Sequence, residues 1–397
     1  MSICVITWLP VRVVIDYRPA LRERSGAGEY THQLVKALLA SIPAESLDVT
    51  VFSSSWKDRL DVDSNDLAGA ATIDRRVPVR LLNLAWHRLG WPPVESLTGA
   101  AFDVTHSSHP LILPSRSAAH VITIHDLNFL AHPEWTYAEI RRDYPALVAD
   151  HARRADRIIV PSQFTAGDVA RRLEVPDAKI SVCAPGAPAW TPRGAVPANG
   201  YVLFLGTLEP RKNVGALLDA YEYLLTNGAQ PRRDVPPLVL AGRANEESRA
   251  WLDRIARGPL SAAVRHVGYV DPSKRRALIE GALLLVQPSF EEGFGLPVLE
   301  AMTLGVPVVA ANRGALPEVV GDAGPLVDPD KPEQIAAGIE RLLTDGAYAV
   351  ACSASGVQRA RAFRWDATAR HVYEAYRLAI DWRLQKTVLP RPSCASV

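Results

Sequence analysis

Residues 287–302 read Gln-Pro-Ser-Phe-Glu-Glu-Gly-Phe-Gly-Leu-Pro-Val-Leu-Glu-Ala-Met and follow the wholly apolar run Ala282–Val286. An apolar strand that ends in a glycine-bearing turn and then opens a helix is the repeating unit of a parallel α/β sheet. Pro297 fits the first turn of that helix, where its missing N–H is no loss. Gly293 and Gly295 let the backbone approach a ligand closely just before it. The amides of Phe294, Gly295 and Leu296, aligned with the helix dipole, make an anion site suited to a diphosphate. Two carboxylates flank that site, Glu292 in the loop and Glu300 in the first turns of the helix. Like charges repel, so these carboxylates suit hydroxyl donors on either side of the anion. A ribose–diphosphate–sugar ligand accounts for the pattern. Acidic residues also stabilise a helix start without any ligand, which is the structural alternative.

The segment Leu205-Gly-Thr-Leu-Glu-Pro-Arg-Lys-Asn213 repeats the arrangement: it follows a strand and precedes a helix. Arg211 and Lys212 therefore sit at a strand's carboxyl end, aimed at the same place. Arginine holds two phosphate oxygens at once and lysine adds a mobile point charge. Asn213 is expected to cap the helix that follows. Working outward, strands are predicted at Tyr201–Leu205, Leu238–Ala241, Val264–Val267 and Pro307–Ala310. Helices are predicted at Val214–Leu225, Glu246–Ala256 and Pro272–Glu280, and from about Pro332 and Asp366. The first half alternates in the same way, with strands at Val11–Ile15, Val49–Phe52, Val104–His106, Val121–Ile124 and Ile158–Val160. Its helices are read at Tyr30–Ala40, Tyr137–Ala155 (started or kinked at Pro145) and Thr165–Leu173. The Pro-, Gly- and Ala-rich stretch Ala184–Gly200 breaks the rhythm and marks the domain boundary. The expected fold is therefore α/β, with two Rossmann-like doubly wound domains, residues 1–190 and 198–372, facing across a ligand-binding cleft.

Composition narrows the function. At 397 residues, 48% apolar and 22% charged, the chain suffices for two cores. A net charge of +1 offers no global field for nucleic acid. Arginine pairs at 75–76, 141–142, 153–154 and 171–172 form either a local basic face or ordinary solvated helix surface. Cys4, Cys183, Cys352 and Cys394 are too scattered for a disulfide framework or a metal cluster, which fits a reducing cytoplasm. No stretch approaches the roughly 18 apolar residues of a membrane span. Pro10 and Arg12 interrupt the apolar start, which is not read as a signal peptide, and the first ten residues read as a dispensable extension. Asp61-Val-Asp63 sits in a polar surface stretch rather than after a buried strand, so it is not read as a metal site, and Asp328-Pro-Asp330 reads as a turn. The segment Val77 to Trp91, with Arg75 and Arg76 just before it, mixes Arg80 and Arg88 with Leu81, Leu82, Leu84, Trp86 and Trp91. It suits either the surface of an anionic membrane or a core helix with a basic outer face.

Taken together, the Glu292/Glu300 pair, the Glu209-Pro-Arg-Lys-Asn213 turn, the run Gly314-Ala-Leu-Pro-Glu-Val319 and the terminal helix around Trp365 resemble glycosyltransferase family 4. The match runs from about Arg12 to Arg383. That resemblance implies the GT-B fold, with a C-terminal helix (about 373–397) that packs back on the first domain. It also implies a retaining transferase using a nucleotide diphosphate sugar as substrate, with no cofactor and no metal. Glu300 would bind the ribose hydroxyls and Glu292 the transferred sugar. Arg211 and Lys212 would hold the diphosphate, and Gly268-Tyr269-Val270 would lie near the nucleobase. His266 stands where the family often has an aromatic or aliphatic residue. Thr207 stands where some relatives carry Arg, which leaves Arg211 more of the neutralisation.

In the first half, Gly26 and Gly28 of Ser25-Gly-Ala-Gly-Glu-Tyr30 would let a turn approach the phosphates or the acceptor, although a lone GxG is weak evidence. Glu29 replaces an Arg common in relatives and receives no role. His125 ends a buried strand and, by the resemblance, sits beside the donor sugar; alternatively it orients its own loop through Asp126. His106 and His109 are candidates for the acceptor pocket or for structure. The Glu-Pro-Arg-Lys-Asn turn resembles enzymes that add mannose from GDP-mannose to lipid-linked or surface glycans, with UDP-sugars left open. An epimerase or phosphorylase of the same fold, and a silent nucleotide-sugar-binding scaffold, are the competing readings. Cytoplasmic placement, with peripheral contact at the inner face of an anionic membrane, completes the expectation.

Overall fold

The computed structural model describes residues 9–21, 24, 26–56, 58–61, 66–135, 138–227 and 235–388. Two sheets form, and every strand pairing in both is parallel. The first holds β1 (Val11–Asp16), β2 (Leu47–Ser54), β3 (Ala71–Arg75), β4 (Val104–Ser107), β5 (Ala119–Thr123), β6 (Arg157–Val160) and β7 (Ile180–Val182). The second holds β8 (Tyr201–Leu205), β9 (Leu238–Ala241), β10 (Val264–Gly268), β11 (Ala282–Gln287), β12 (Val308–Ala311) and β13 (Leu326–Val327). Their orders are β3-β2-β1-β4-β5-β6-β7 and β10-β9-β8-β11-β12-β13. The central strands read as unbroken apolar runs because helices cover both faces. Accordingly, separate apolar clusters lie on the two sides of each sheet.

Strand order reverses between β1 and β4 in one sheet and between β8 and β11 in the other. The loops leaving those strands diverge to opposite faces and open a crevice there. Every candidate loop is attached at or beside a reversal: the Gly26 turn after β1, His125 after β5, Arg211 after β8 and Glu292 after β11.

The sequence reading missed the short β3, β7 and β13 and the helix Gly346–Ala360, while the helix offered as one reading of the arginine-flanked apolar segment forms at Val79–Leu84. β3, for example, is an edge strand whose residues alternate poorly and stay exposed or half-buried. The Glu246–Ala256 helix is shorter than expected, at Arg249–Ile255, because Asn245 and Ser248 close a turn first. Pro145 lies inside a helix that runs Ala138–Arg154. Asp61-Val-Asp63 falls partly outside the described residues, as do Cys4 and Cys394, while Cys183 and Cys352 are free and buried. Asp328-Pro-Asp330 is a turn, its Asp330 amide donating to Asp328 Oδ1 at 3.2 Å.

The chain passes between domains twice, and the two passages are bonded to each other. Ala187 N donates to Phe363 O (2.9 Å) and Thr368 Oγ1 to Ala184 O (2.6 Å). The returning helix is Trp365–Val388, its start within one residue of the expected Asp366, and it already packs on the first domain from Ala369, ahead of the expected residue 373. It places Ala369, Val372, Ala375, Tyr376 and Ala379 in the core of the first domain. Its far end is fastened by buried Asp156, which takes Arg383 and Lys386 at 3.1 Å each and the His120 amide at 2.9 Å. Midway, Tyr376 Oη lies 2.7 Å from His106 Nδ1, and His106 Nε2 lies 2.8 Å from Thr123 Oγ1. His106 is completely buried, which removes it from any acceptor pocket and makes it the helix's anchor.

Tyr376→Phe should therefore leave a buried imidazole nitrogen unpaired. It should destabilise the first domain by about 1–3 kcal/mol in urea unfolding, and an unchanged midpoint would contradict this anchoring role.

Candidate functional site

A cleft of about 380 Å³ opens where the two reversals face each other. Glu292, His125, Arg211, Lys212, Phe294, Gly295, Leu296, Gly26 and Tyr269 all line it. The two turns of the second domain are stitched together by hydrogen bonds of their own. Phe290 N donates to Arg211 O (2.9 Å), Arg211 Nη1 to Glu291 O (2.9 Å) and Asn213 Nδ2 to Pro288 O (3.1 Å) and Pro329 O (2.7 Å). Asn213 thus acts as a donor to two carbonyls from a left-handed backbone position (φ 57°). That replaces the expectation of an accepting helix cap, because the neighbouring loops already offer carbonyls within reach.

Glu292 is the centre of the cluster. Its Oε1 accepts from Lys212 Nζ, from Ser289 Oγ (2.8 Å) and from Gln287 Nε2 (2.9 Å), and its Oε2 accepts from Arg211 Nη1 (3.0 Å). Burial alone would raise its pKa, but Lys212 and then Arg211 outweigh burial and bring it down to about 2. Arg211 is also held by Glu209 Oε1 at 2.7 Å. Two cations are matched here by two carboxylates, Glu292 and Glu209, and the adjacent helix start adds positive dipole, so an anion entering the site would compete with Glu292 for Arg211 and Lys212.

Glycines permit this geometry. Gly295, at φ 102°, starts the Leu296–Thr303 helix in a conformation that favours glycine. A Cβ on Gly293 would lie 1.8 Å from the His125 carbonyl oxygen, so any other residue would force the domains apart.

Glu300 sits in an adjoining pocket that also contains Arg24, Glu29, Arg275 and Trp365. Its Oε2 lies 2.8 Å from Arg275 Nε, an ion pair the sequence reading missed. Within Lys274-Arg275-Arg276 that arginine reads as one more charge on a solvated face, and no periodicity singles it out. Burial pushes the Glu300 pKa up to about 7, with Arg275 opposing and Glu29 adding to the rise.

His125 has its Nε2 buried and unpartnered, and its ring meets Tyr30 edge-on at 5.0 Å. Burial holds its pKa below the ordinary imidazole value, so the ring is neutral. Asp126 accepts from Asn128 N at 3.2 Å, so the carboxylate organises the next turn. Gly28 does not reach the cleft: it is buried, and a Cβ there would stand 2.5 Å from Pro19 O. Its smallness serves packing of the helix on the preceding turn. His266 Nε2 donates to Gly242 O at 2.8 Å and so pins the end of β9. His109 is half-buried with Nε2 3.4 Å from Asp16 Oδ2. Arg243, whose guanidinium lies 5.3 Å from the Tyr269 ring centroid, joins Tyr269 in the cleft wall and was also missed.

The family model for glycosyl transferases group 1 matches residues 193–359, and that for Glycosyltransferase Family 4 matches residues 24–189. The O-antigen chain mannosyltransferase B of Escherichia coli is 30% identical over 385 residues, covering 93% of this chain and 100% of that protein. Among solved structures, sucrose-phosphate synthase from Thermosynechococcus elongatus aligns with a TM-score of 0.74 at 21% identity, covering 93% of this chain and 98% of that one. HepE of Anabaena, solved with UDP and glucose, aligns at 0.64 and 18% identity, covering 92% and 98%. These structural likenesses establish the GT-B fold.

The Glu300 shift has a consequence for stability. The folded chain keeps this proton up to about pH 7, against an ordinary value of 4.5. Between those values the native state binds more protons than the unfolded state, so this group's contribution makes stability fall as pH rises. Glu300→Gln should remove that slope. Denaturant unfolding of parent and variant from pH 4.5 to 8 measures it, and parallel curves would show that Glu300 is ionised throughout.

Proposed function

The chain belongs to glycosyltransferase family 4 and is a glycosyltransferase, and from that premise we propose that it transfers mannose from GDP-mannose, with retention and without a metal ion. The acceptor in this proposal is a glycan or lipid-linked glycan in surface polysaccharide synthesis. The observation that carries it is the Lys212–Glu292–Arg211 cluster set against the glycine-started helix. A diphosphate entering there takes over Arg211 and Lys212, and Glu292 is released towards the hydroxyls of the transferred sugar. In the reaction, the bond from the anomeric carbon to the diphosphate oxygen breaks and the bond to the acceptor oxygen forms on the same face. The acceptor's hydroxyl proton passes to the departing phosphate oxygen, and the two cations stabilise the charge that develops there. Positioning supplies the rest. Mannose is favoured by the whole-length similarity to an O-antigen mannosyltransferase. A UDP-sugar donor is the second reading, since HepE of the same fold was solved with UDP.

The membrane part of the proposal rests on residues 79–91. Leu82 and Trp86 are buried in the first domain, yet Leu81, Leu84, Leu89 and Trp91 are each more than half exposed. Exposed Arg75, Arg76 and Arg80 lie beside them. An apolar patch flanked by arginines suits the headgroup region of an anionic bilayer, where a lipid-linked acceptor would be presented. No helix among the described residues is long and apolar enough to cross a membrane.

Thermal melting with nucleoside diphosphates in EDTA tests the donor. GDP should raise the melting temperature more than UDP, by an amount near 2.7 kcal/mol of stabilisation at a hundredfold excess over Kd, and Glu300→Ala should abolish the rise. A UDP preference discards mannose from GDP-mannose; a requirement for divalent ion discards metal independence. Separately, co-sedimentation with vesicles should increase with phosphatidylglycerol content and fall in Leu84→Glu/Trp91→Glu, and binding that ignores lipid charge removes the membrane assignment.

A further inference from the structure

The Gln163–Leu173 helix of the first domain begins against the second domain. Its first amides need partners from outside the helix, as all helix starts do. Ser162 Oγ accepts from Thr165 N at 3.1 Å, within the helix's own domain. The two preceding amides are served from across the cleft: Gln163 N donates to Glu318 Oε2 at 2.9 Å and Phe164 N to Glu318 Oε1 at 2.6 Å. A carboxylate accepting two N–H groups at the positive end of a helix is a charge-assisted, dipole-favoured contact. Ser162 Oγ adds a hydrogen bond to Gly293 O at 2.8 Å.

Glu318 is also fixed on its own side. It lies in the short helix Leu316–Val320, whose preceding residue Ala315 donates its amide to Glu292 O at 3.0 Å. Arg359 Nη2 holds the Glu318 carbonyl at 2.5 Å. One end of this contact is therefore tied to the Glu292 loop. The other end lies beside His125, whose carbonyl packs on Gly293 and lies 3.4 Å from Thr165 Oγ1.

We propose that Glu318 is a latch that holds the two domains closed, and a positioning residue that registers His125 against Glu292. The carboxylate has both helix amides as partners only when the domains are together. On separation, the carboxylate and the two amides turn to water. The latch stands on these contacts alone, whereas the positioning role rests on the transferase reading above.

The test uses the full chain without nucleotide, so it is independent of the donor. In Glu318→Ala, small-angle scattering should give a larger radius of gyration than the parent. Hydrogen exchange at Gln163 and Phe164 should accelerate about tenfold or more, the scale set by losing one charge-assisted hydrogen bond, while β5 amides keep their rates. Glu318→Gln, which keeps an accepting oxygen but no charge, should lie between. Unchanged scattering and exchange in both variants would overturn the latch. For the positioning role, kcat with the donor the parent uses should fall about tenfold in Glu318→Ala at little change in melting temperature, with partial recovery in Glu318→Gln. An opened chain that turns over at the parental rate would overturn that role.

Discussion

A buried carboxylate with two cations organises the second domain. An ionised Glu292 in the interior would be prohibitive if it were alone, because burial strongly disfavours charge without partners. Here Lys212, Arg211, Ser289 and Gln287 all converge on it. Those partners come from β8's turn and from the end of β11 itself, neighbours in the sheet. The ion cluster therefore closes the gap at the strand-order reversal and fixes both turns in one arrangement. In the proposed reaction the chemistry requires only an exchange of partners, with phosphate oxygens displacing Glu292 from the cations.

Much of this was legible in the sequence because it is local. An apolar strand, a glycine turn and a helix start are adjacent in the chain, so Glu292, Phe294 and Gly295 could be placed from spacing alone. Arg211 and Lys212 were placed by the same logic one strand away. What stayed hidden is long-range and polar. Arg275 meets Glu300 from the helix Pro272–Glu280, and a basic residue there looks like any solvated one. Glu318 sits in a motif that could be recognised, yet its partners are backbone amides of the other domain, which carry no sequence signal. Gly28 shows the converse: a glycine in a suggestive motif whose requirement is steric, set by Pro19 O.

His106 makes the same point about histidines. Its place near the carboxyl end of β4 suggested the cleft, but its ring lies fully buried between Tyr376 and Thr123. The helix that supplies Tyr376 is more than 250 residues away in sequence, and the sequence predicted only that it returns. That helix also begins at the interdomain passage, where Trp365 meets Tyr30 at 5.9 Å and Tyr30 meets His125 at 5.0 Å. Aromatic contacts of this kind transmit position through packing, which tolerates little displacement.

The two passages between domains constrain how the cleft opens. They are hydrogen-bonded to each other, and a Cβ on Gly186 would stand 2.2 Å from Trp365 N, so neither passage can slide past the other. Opening is then a rotation about one joint rather than a translation of one domain along the other. Rotation must separate the contacts that cross the cleft: Glu318 from the helix start at Gln163, Ser162 from Gly293, and Trp135 from Phe290, whose rings stack at 5.6 Å. Phe290, Gly293 and Glu292 belong to one loop, so the elements that hold the domains together also carry the buried carboxylate. The contacts between the domains and the register of Glu292 against His125 are consequently carried by one loop.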